Sequence, residues 1–315
     1  MKSFRQLYQR LPGEFFEHLH TQYEERLAEK ILEGFMEERP VTLRVNTLKN
    51  EVREVMETLR RLGIKFERVL WYPDALIVRN QREKDLETTE LYQDGRIYLQ
   101  SLSSMLPPLA LAPQPGMKVL DLTAAPGGKT TQLAALMDNR GLILANEINA
   151  IRAERLKYNV AKQGASIAQV RVGDGKWLDP EYQQFFDAVL LDAPCSGVGL
   201  FELGNSQTYR GWSVRNVVKL AKEQKKLLET AFWALKPGGS LVYSTCTLCQ
   251  EENESVIAWA LERFGDKVRL EELPQPLRSL EQNCLLPTRY PGKSIGIMPT
   301  ALMEGFFVAR FRKLA

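Results

Sequence analysis

From Lys118 onward the chain repeats one unit, a strand followed by a helix, and this alternation restricts the fold more than any other feature. Lys118 to Leu122 reads as a strand and Lys129 to Met137 as a helix. Leu142 to Ala145 and Ala150 to Gln163 repeat the pair. Gln169 to Val172 and Phe186 to Leu191 are the next two strands. Val217 to Leu235 is a long helix stopped by Lys236-Pro237-Gly238-Gly239. Ser240 to Ser244 is a further strand, Glu252 to Phe264 a helix, and Phe306 to Phe311 a last strand. Short apolar runs between helices are strands buried on both faces, which calls for a mostly parallel sheet covered by helices on each side.

Pro113-Gln114-Pro115-Gly116 marks a boundary, giving an N-terminal region of residues 1–112 and a catalytic region of residues 113–315. Residues 3–38 carry apolar side chains at helical spacing, from Leu7 to Phe35, interrupted near Pro12-Gly13. Pro40 to Val45 reads as a strand, Glu51 to Leu62 as a helix, and Phe66 to Val69, Ala75 to Val78 and Ile97 to Gln100 as further strands. That order suggests a small α+β module. Arg44, Lys49, Arg53, Arg60, Arg61, Lys65 and Arg68 make it locally basic. Such a face suits RNA and an ordinary solvated surface equally.

A net charge of +3 over 315 residues permits a nucleic-acid partner without demanding one. No apolar run approaches the ~18 residues of a membrane span, and Met1 to Arg10 lacks the apolar segment of a secretory signal. The expected location is therefore the cytoplasm, with no membrane partner, and a monomer is expected. The cysteines are Cys195, Cys246, Cys249 and Cys284. A reducing compartment makes a disulfide framework unexpected. Cys246-x-x-Cys249 has no second such pair, and His18 and His20 lie far away in sequence, so no metal is expected. With only those histidines, acid–base chemistry falls to carboxylates, thiols or water.

Asp121-Leu122-Thr123-Ala124-Ala125-Pro126-Gly127-Gly128-Lys129 joins the first strand of the alternation to its helix. Small residues let the backbone approach a ligand closely, and the N–H groups opening the helix favour an anionic one. The loop matches neither a GxGxxG nor a GxxxxGK[ST] pattern. Acids stand at successive strand ends: Asp121, Glu147 after Asn146, Asp174 between two glycines, and Asp192. One carboxylate there can take both hydroxyls of a ribose, and another can meet an adenine amino group. The set points to an adenosine-containing ligand. NAD and S-adenosylmethionine both satisfy it.

Two neighbouring strand ends carry thiols, Cys195 in Asp192-Ala193-Pro194-Cys195-Ser196-Gly197 and Cys246 in Thr245-Cys246-Thr247. Hydride transfer has no use for a cysteine pair. Cytosine C5 methylation has: a thiolate added to C6 makes C5 electron-rich enough to accept a methyl group. An acid at N3 of the base would stabilise the adduct, a role that suits Asp192. A second thiol could assist elimination.

These residues resemble the Nol/Nop/Sun family of RNA cytosine-5 methyltransferases. The matching segments are Arg44-Val45-Asn46-Thr47-Leu48, Gln100 with Ser103-Ser104-Met105, Ala124 to Thr130, Asp174-Gly175, and Asp192 to Gly197. Lys236 to Gly239, Ser244 to Thr247, Glu251-Glu252-Asn253-Glu254 and Gly305-Phe306-Phe307 complete them. The resemblance implies a class I methyltransferase-like (Rossmann-like) α/β catalytic domain with a smaller N-terminal α+β RNA-binding domain. It implies S-adenosyl-L-methionine as methyl donor, Cys246 as the nucleophile and Cys195 as the residue releasing product. Donor contacts carry over to Thr123, Ala124, Ala125, Pro126, Gly127, Gly128, Lys129, Glu147, Arg152, Asp174 and Asp192, with Lys129 orienting Asp192 by charge pairing. The expected substrate is 16S ribosomal RNA; the alternatives are a transfer RNA substrate, or an RNA-binding assembly factor whose cofactor site is vestigial. The chain departs from the family at Thr123, often a cysteine, and at Phe201 to Trp212, which lacks an arginine-rich, Pro-Asp-containing stretch. It also lacks a histidine near Arg289 to Lys293. Trp212, Tyr209 and Arg210 are candidates to receive unstacked bases.

Overall fold

The computed structural model describes residues 10–280 and 282–315, so Leu7 of the first helical pattern lies outside the described residues. The pattern from Leu11 to Phe35 forms two helices, Gly13–Gln22 and Glu25–Gly34, with a break at Tyr23 that the spacing did not announce. Phe15, Leu19, Ile31 and Phe35 pack against Phe201, Trp212 and Leu248 of the larger unit.

The small module is a four-stranded antiparallel sheet in the order β2-β3-β1-β4, with β1 Val41–Val45, β2 Phe66–Arg68, β3 Ala75–Val78 and β4 Ile97–Leu99. The Val52–Arg61 helix covers one face. Its Val55 and Leu59 join Leu43, Val45, Leu76 and Val78 in a separate core. A capping box between Glu51 and Glu54 starts that helix, and Arg60 and Arg61 sit favourably in its last turn.

The larger sheet has nine strands. Its parallel centre runs β9-β8-β5-β6-β7, with β5 Lys118–Asp121, β6 Leu142–Glu147, β7 Ala168–Val172, β8 Phe186–Asp192 and β9 Leu235–Thr245. Period-two alternation splits its buried side chains between two cores. Ala188 and Leu190 join Val119, Ile143 and Val242 under the Gly128–Leu136 helix. Val189 and Leu191 join Leu120, Leu241 and Tyr243 under the Val214–Ala234 helix. The short helix Leu106–Leu111 also packs beneath this sheet, through Leu106, Ala110 and Leu111.

Two differences from the sequence reading concern β9 and the sheet's antiparallel edge. Lys236-Pro237-Gly238-Gly239 does not separate helix from strand; it lies inside β9 as a bulge, where pairing jumps from Phe186↔Leu235 to Ala188↔Ser240. Beyond β9 the sheet gains antiparallel strands: β10 Val268–Leu270, β11 Leu285–Leu286, β12 Ser294–Ile297 and β13 Phe306–Lys313. β10 to β12 are two to four residues long, too short for a periodic signal. Among the described residues no helix is long and apolar enough to cross a membrane.

Candidate active site

Chain order reverses about β5: β6 and β7 lie to one side, β8 and β9 to the other. The crevice beyond the carboxyl ends of β5 and β8 is where open α/β sheets bind ligands. Register sets what stands there. Asp192 of β8 pairs with Ser244 of β9, so their following segments run side by side. Ala193 N–H donates to Ser244 O at 2.8 Å, and Gly199 N–H to Cys246 O at 3.0 Å. The two segments bring Cys195 Sγ to 3.2 Å from Cys246 Sγ.

Both thiols line a cavity of about 360 Å³ together with Glu147, Asp174 and Asp192. Thr123, Ala125 and Arg152 share its wall. Asp121, the other strand-end acid, does not. It is 1% exposed beneath the loop, where it accepts a 2.6 Å bond from Thr130 Oγ1. The loop is pinned from several directions. Ala124 N–H reaches Asn146 O (2.8 Å), Asn159 Nδ2 reaches Pro126 O (2.8 Å), and Arg152 Nη2 reaches Ala125 O (2.8 Å). Gly127 adopts φ +109° to turn the chain into the helix, a backbone state open mainly to glycine.

A second cavity of about 500 Å³ lies on the other side of the loop. Ala124, Pro126, Gly128 and Lys129 line it, and Thr123, Ala125 and Asp192 line both cavities. Lys129 Nζ is 2.7 Å from Asp192 Oδ2 and donates to Ser104 Oγ at 2.9 Å. Burial works against the lysine's charge, yet the adjoining Asp192 carboxylate holds its pKa above the usual lysine value. Asp192 Oδ1 accepts from Ser244 Oγ at 2.7 Å, and Thr123 Oγ1 donates to the Asp192 carbonyl at 2.8 Å. The carboxylate is thus held at the junction of both cavities. The hydrogen bond with Cys246, together with burial, pushes the Cys195 thiol well above the usual cysteine range.

The cavity with the thiols fits an adenosine-type ligand. Glu147 is 3% exposed and oriented by Asn149 N–H at 2.9 Å, with Arg152 Nη1 3.5 Å from its other oxygen. Asp174 accepts from Lys176 N–H at 3.0 Å. Ile148, exposed and beside Glu147 on the wall, offers an apolar face to an adenine ring.

Two expectations about particular side chains change. Arg44 is fully buried and adds nothing to a basic surface. Its Nε donates to Gln100 Oε1 at 3.1 Å and its Nη2 to Thr131 Oγ1 at 2.9 Å, tying the small sheet to the loop's helix. Trp212 and Tyr209 are also buried, with Trp212 edge-on to Phe15 at 5.1 Å; only Arg210 of that trio faces solvent. His18, remote in sequence from Cys249, lies 2.9 Å from Glu251 and close to Cys249, and the Gln22 amide reaches both His18 and Glu251. Sequence reasoning missed Ser104 and Ser244 as the partners that hold Lys129 and Asp192, although both stood in quoted motifs. It also missed the role of Ser196, Gln224 and Glu252 behind the thiols.

The chain is similar to known proteins over most of its length. The family model described as "16S rRNA methyltransferase RsmB/F" matches residues 108–312, and a model for the RsmF/B-like ferredoxin-like domain matches residues 11–83. Ribosomal RNA small subunit methyltransferase F of Vibrio atlanticus (strain LGP32) is 43% identical over 278 residues, 87% of this chain and 58% of that protein. The protein of that name from Shewanella sp. (strain ANA-3) is 40% identical over 275 residues, 86% of this chain and 56% of that protein. The chain thus spans less than two thirds of the length of these relatives. A methyltransferase homolog protein from Pyrococcus horikoshii superposes with a TM-score of 0.81 at 32% identity, covering 100% of both chains. NSun6 from the same organism, solved with SFG, has the same fold with a TM-score of 0.83 at 22% identity, covering 96% of this chain and 98% of that one. Matched by its model over nearly the whole catalytic sheet and by relatives at about 40% identity, the chain belongs to the 16S rRNA methyltransferase RsmB/F family.

Proposed function

We propose that this protein methylates C5 of a cytosine in 16S ribosomal RNA, with S-adenosylmethionine as donor. The observation that carries the reading is the meeting of Cys195 and Cys246 at 3.2 Å on the wall of a cavity that also holds Glu147 and Asp174. Glu147 is the residue for the ribose hydroxyls and Asp174 for the adenine side, while the Thr123–Lys129 loop supplies backbone contacts. When bound, the donor supplies an electrophilic methyl group on a sulfonium.

Cys246, as thiolate, adds to C6 of the base, and the C5–C6 π electrons move into the ring and onto C5. Asp192, steadied by Lys129 and Ser244, stands at the N3 edge to hydrogen-bond the adduct. C5 would take the methyl group, the S–CH3 bond breaking with its electron pair left on sulfur as a neutral thioether. Loss of the C5 proton to a base then returns an electron pair to the ring and expels Cys246 as thiolate. Cys195 keeps its own proton during the addition, because burial and its sulfur neighbour disfavour the anion, and so can donate to the Cys246 sulfur. Its position beside that sulfur suits it to the elimination. The target base must leave its stack to reach both sulfur and methyl group. The exposed Arg53, Arg60, Arg61, Lys65 and Arg68 of the small module are the proposed phosphate contacts.

The test is a pair of variants with small-subunit RNA. Cys246→Ala should form no covalent protein–RNA adduct and transfer no methyl group, whereas Cys195→Ala should accumulate the adduct on a denaturing gel. The opposite pattern would reverse the two roles, and no adduct in either variant would defeat covalent catalysis.

A further inference from the structure

Behind the thiols lies a carboxylate that the reaction itself does not use. Glu252 is 0% exposed. Its Oε1 accepts from Ser196 N–H at 3.0 Å and from Gln224 Nε2 at 2.8 Å, and its Oε2 accepts from the Ser196 hydroxyl. These donors are all neutral. Gln224 Nε2 also donates to Pro194 O at 2.9 Å, so the residues on either side of Cys195 are both tied to this cluster. Glu252 belongs by its backbone to the other thiol's segment. Its N–H donates to Cys249 O at 3.0 Å, and its carbonyl accepts from Tyr243 OH of β9 at 2.6 Å. Ser196 Oγ lies 2.8 Å from Thr247 Oγ1, the neighbour of Cys246.

Burying a carboxylate among neutral donors is unfavourable compared with an apolar side chain of that size. An apolar side chain could not hold these donors at fixed distances. We propose that Glu252 is a positioning residue: it locks the Cys195 segment to the Cys246 segment and so sets the sulfur–sulfur separation on which product release depends. The proposal rests on the two-thiol reaction above and adds to it a group that touches neither base nor donor. Without the lock, Cys246 still follows directly on β9 and can add to the base. Cys195 moves away, and the elimination it assists slows.

The test uses the full chain with small-subunit RNA. Glu252→Ala should bind S-adenosylmethionine as the wild type does and turn over about 100-fold more slowly, the penalty of a displacement near 1 Å. It should also accumulate the covalent adduct seen with Cys195→Ala, a signature that general destabilisation does not produce. Glu252→Gln should recover most of the turnover. Its amide oxygen can accept from Ser196 N–H and Gln224, and its amide nitrogen can donate to Ser196 Oγ. Ser196→Ala cuts the link to Thr247 without removing the buried carboxylate, and it decides the matter if Glu252→Ala does not fold. It too should accumulate adduct. Slow turnover without adduct in the folded variants, or turnover at the wild-type rate, would overturn the proposal while leaving Cys195→Ala to support the two-thiol reading. If Cys195→Ala itself gave no adduct, both would fall.

Discussion

Asp121 offers a test of the electrostatics beneath the Thr123–Lys129 loop. Burial raises its pKa from 3.8 to about 6; the Thr130 hydrogen bond and Lys129 pull it down, and Asp192 adds to the rise. The folded protein therefore holds this proton more tightly than the unfolded chain. The stability gained is fully present below the unfolded value and is lost as pH rises through about 6. The whole swing, about two pKa units, is worth about 3 kcal/mol at 1.36 kcal/mol per unit. Between about pH 5 and pH 7.5 it amounts to roughly 1 kcal/mol, since at the lower pH the folded carboxyl is mostly protonated and the unfolded one is not. Asp121→Asn keeps the shape and still accepts from Thr130, but carries no proton to lose. Every other titrating group is common to both proteins, so the stability difference between them isolates this one. Calorimetric scans at the two pH values should show the variant gaining on the wild type by about 1 kcal/mol at the higher pH, a few degrees in Tm. A difference that is the same at both pH values would refute a buried Asp121 that titrates near 6.

Other perturbations have outcomes of their own. Glu147→Gln should weaken S-adenosylmethionine binding about 10- to 100-fold by titration calorimetry, the worth of charge-assisted hydrogen bonds to a ribose; unchanged affinity would move the ribose elsewhere. Trp212→Ala should lower stability by about 3–5 kcal/mol through the cavity it leaves, with no change in the Michaelis constant for RNA. A raised constant at full stability would restore the base-stacking role. Gly199→Ala places a Cβ 1.9 Å from Gly305 O, in a segment whose N–H holds Cys246 O. Overpacking there should cost about 1–3 kcal/mol or more and slow turnover further than it weakens donor binding; wild-type turnover would show that the two glycine segments can part freely.

The parallel centre of the sheet was open to reading because buried strands announce themselves. Ala188 to Leu191 is apolar throughout, and Ala150 to Gln163 forms the helix its residues specify, capped by Asn149 and ended by Gly164. The antiparallel edge was not, since β12 is held by pairing with β13, and β11 by pairing with β12, rather than by any pattern of their own. The same distinction separates surface from interior among charged residues. Arg44 and Arg68 look alike in a basic stretch, yet one is buried on β1 and the other exposed at the module's outer strand. Alternation along β1 does not disclose it, because Arg44 faces the interface with the loop's helix, a surface created only when the two units meet. Trp212 likewise stood in a polar, glycine-containing stretch that suggested exposure, and the Gly13–Gln22 helix covers it.

For the site itself, residue type was readable and separation was not. Two cysteines fifty-one positions apart acquire a 3.2 Å contact through a chain of causes that begins in strand pairing. β8 and β9 are adjacent and parallel, and their register sets Asp192 against Ser244. From those partners Cys195 is three residues on and Cys246 two, so the longer segment must turn to bring its sulfur level with the other. Proline 194 restricts that turn, Gly197 at φ +71° completes it, and Ser196 fastens it to Glu252. A one-residue slip in pairing would put Asp192 on the wrong face and carry its segment out of reach of Cys246. The proposed chemistry thus depends less on the presence of two thiols than on a strand register and the buried carboxylate that fastens the loops beyond it.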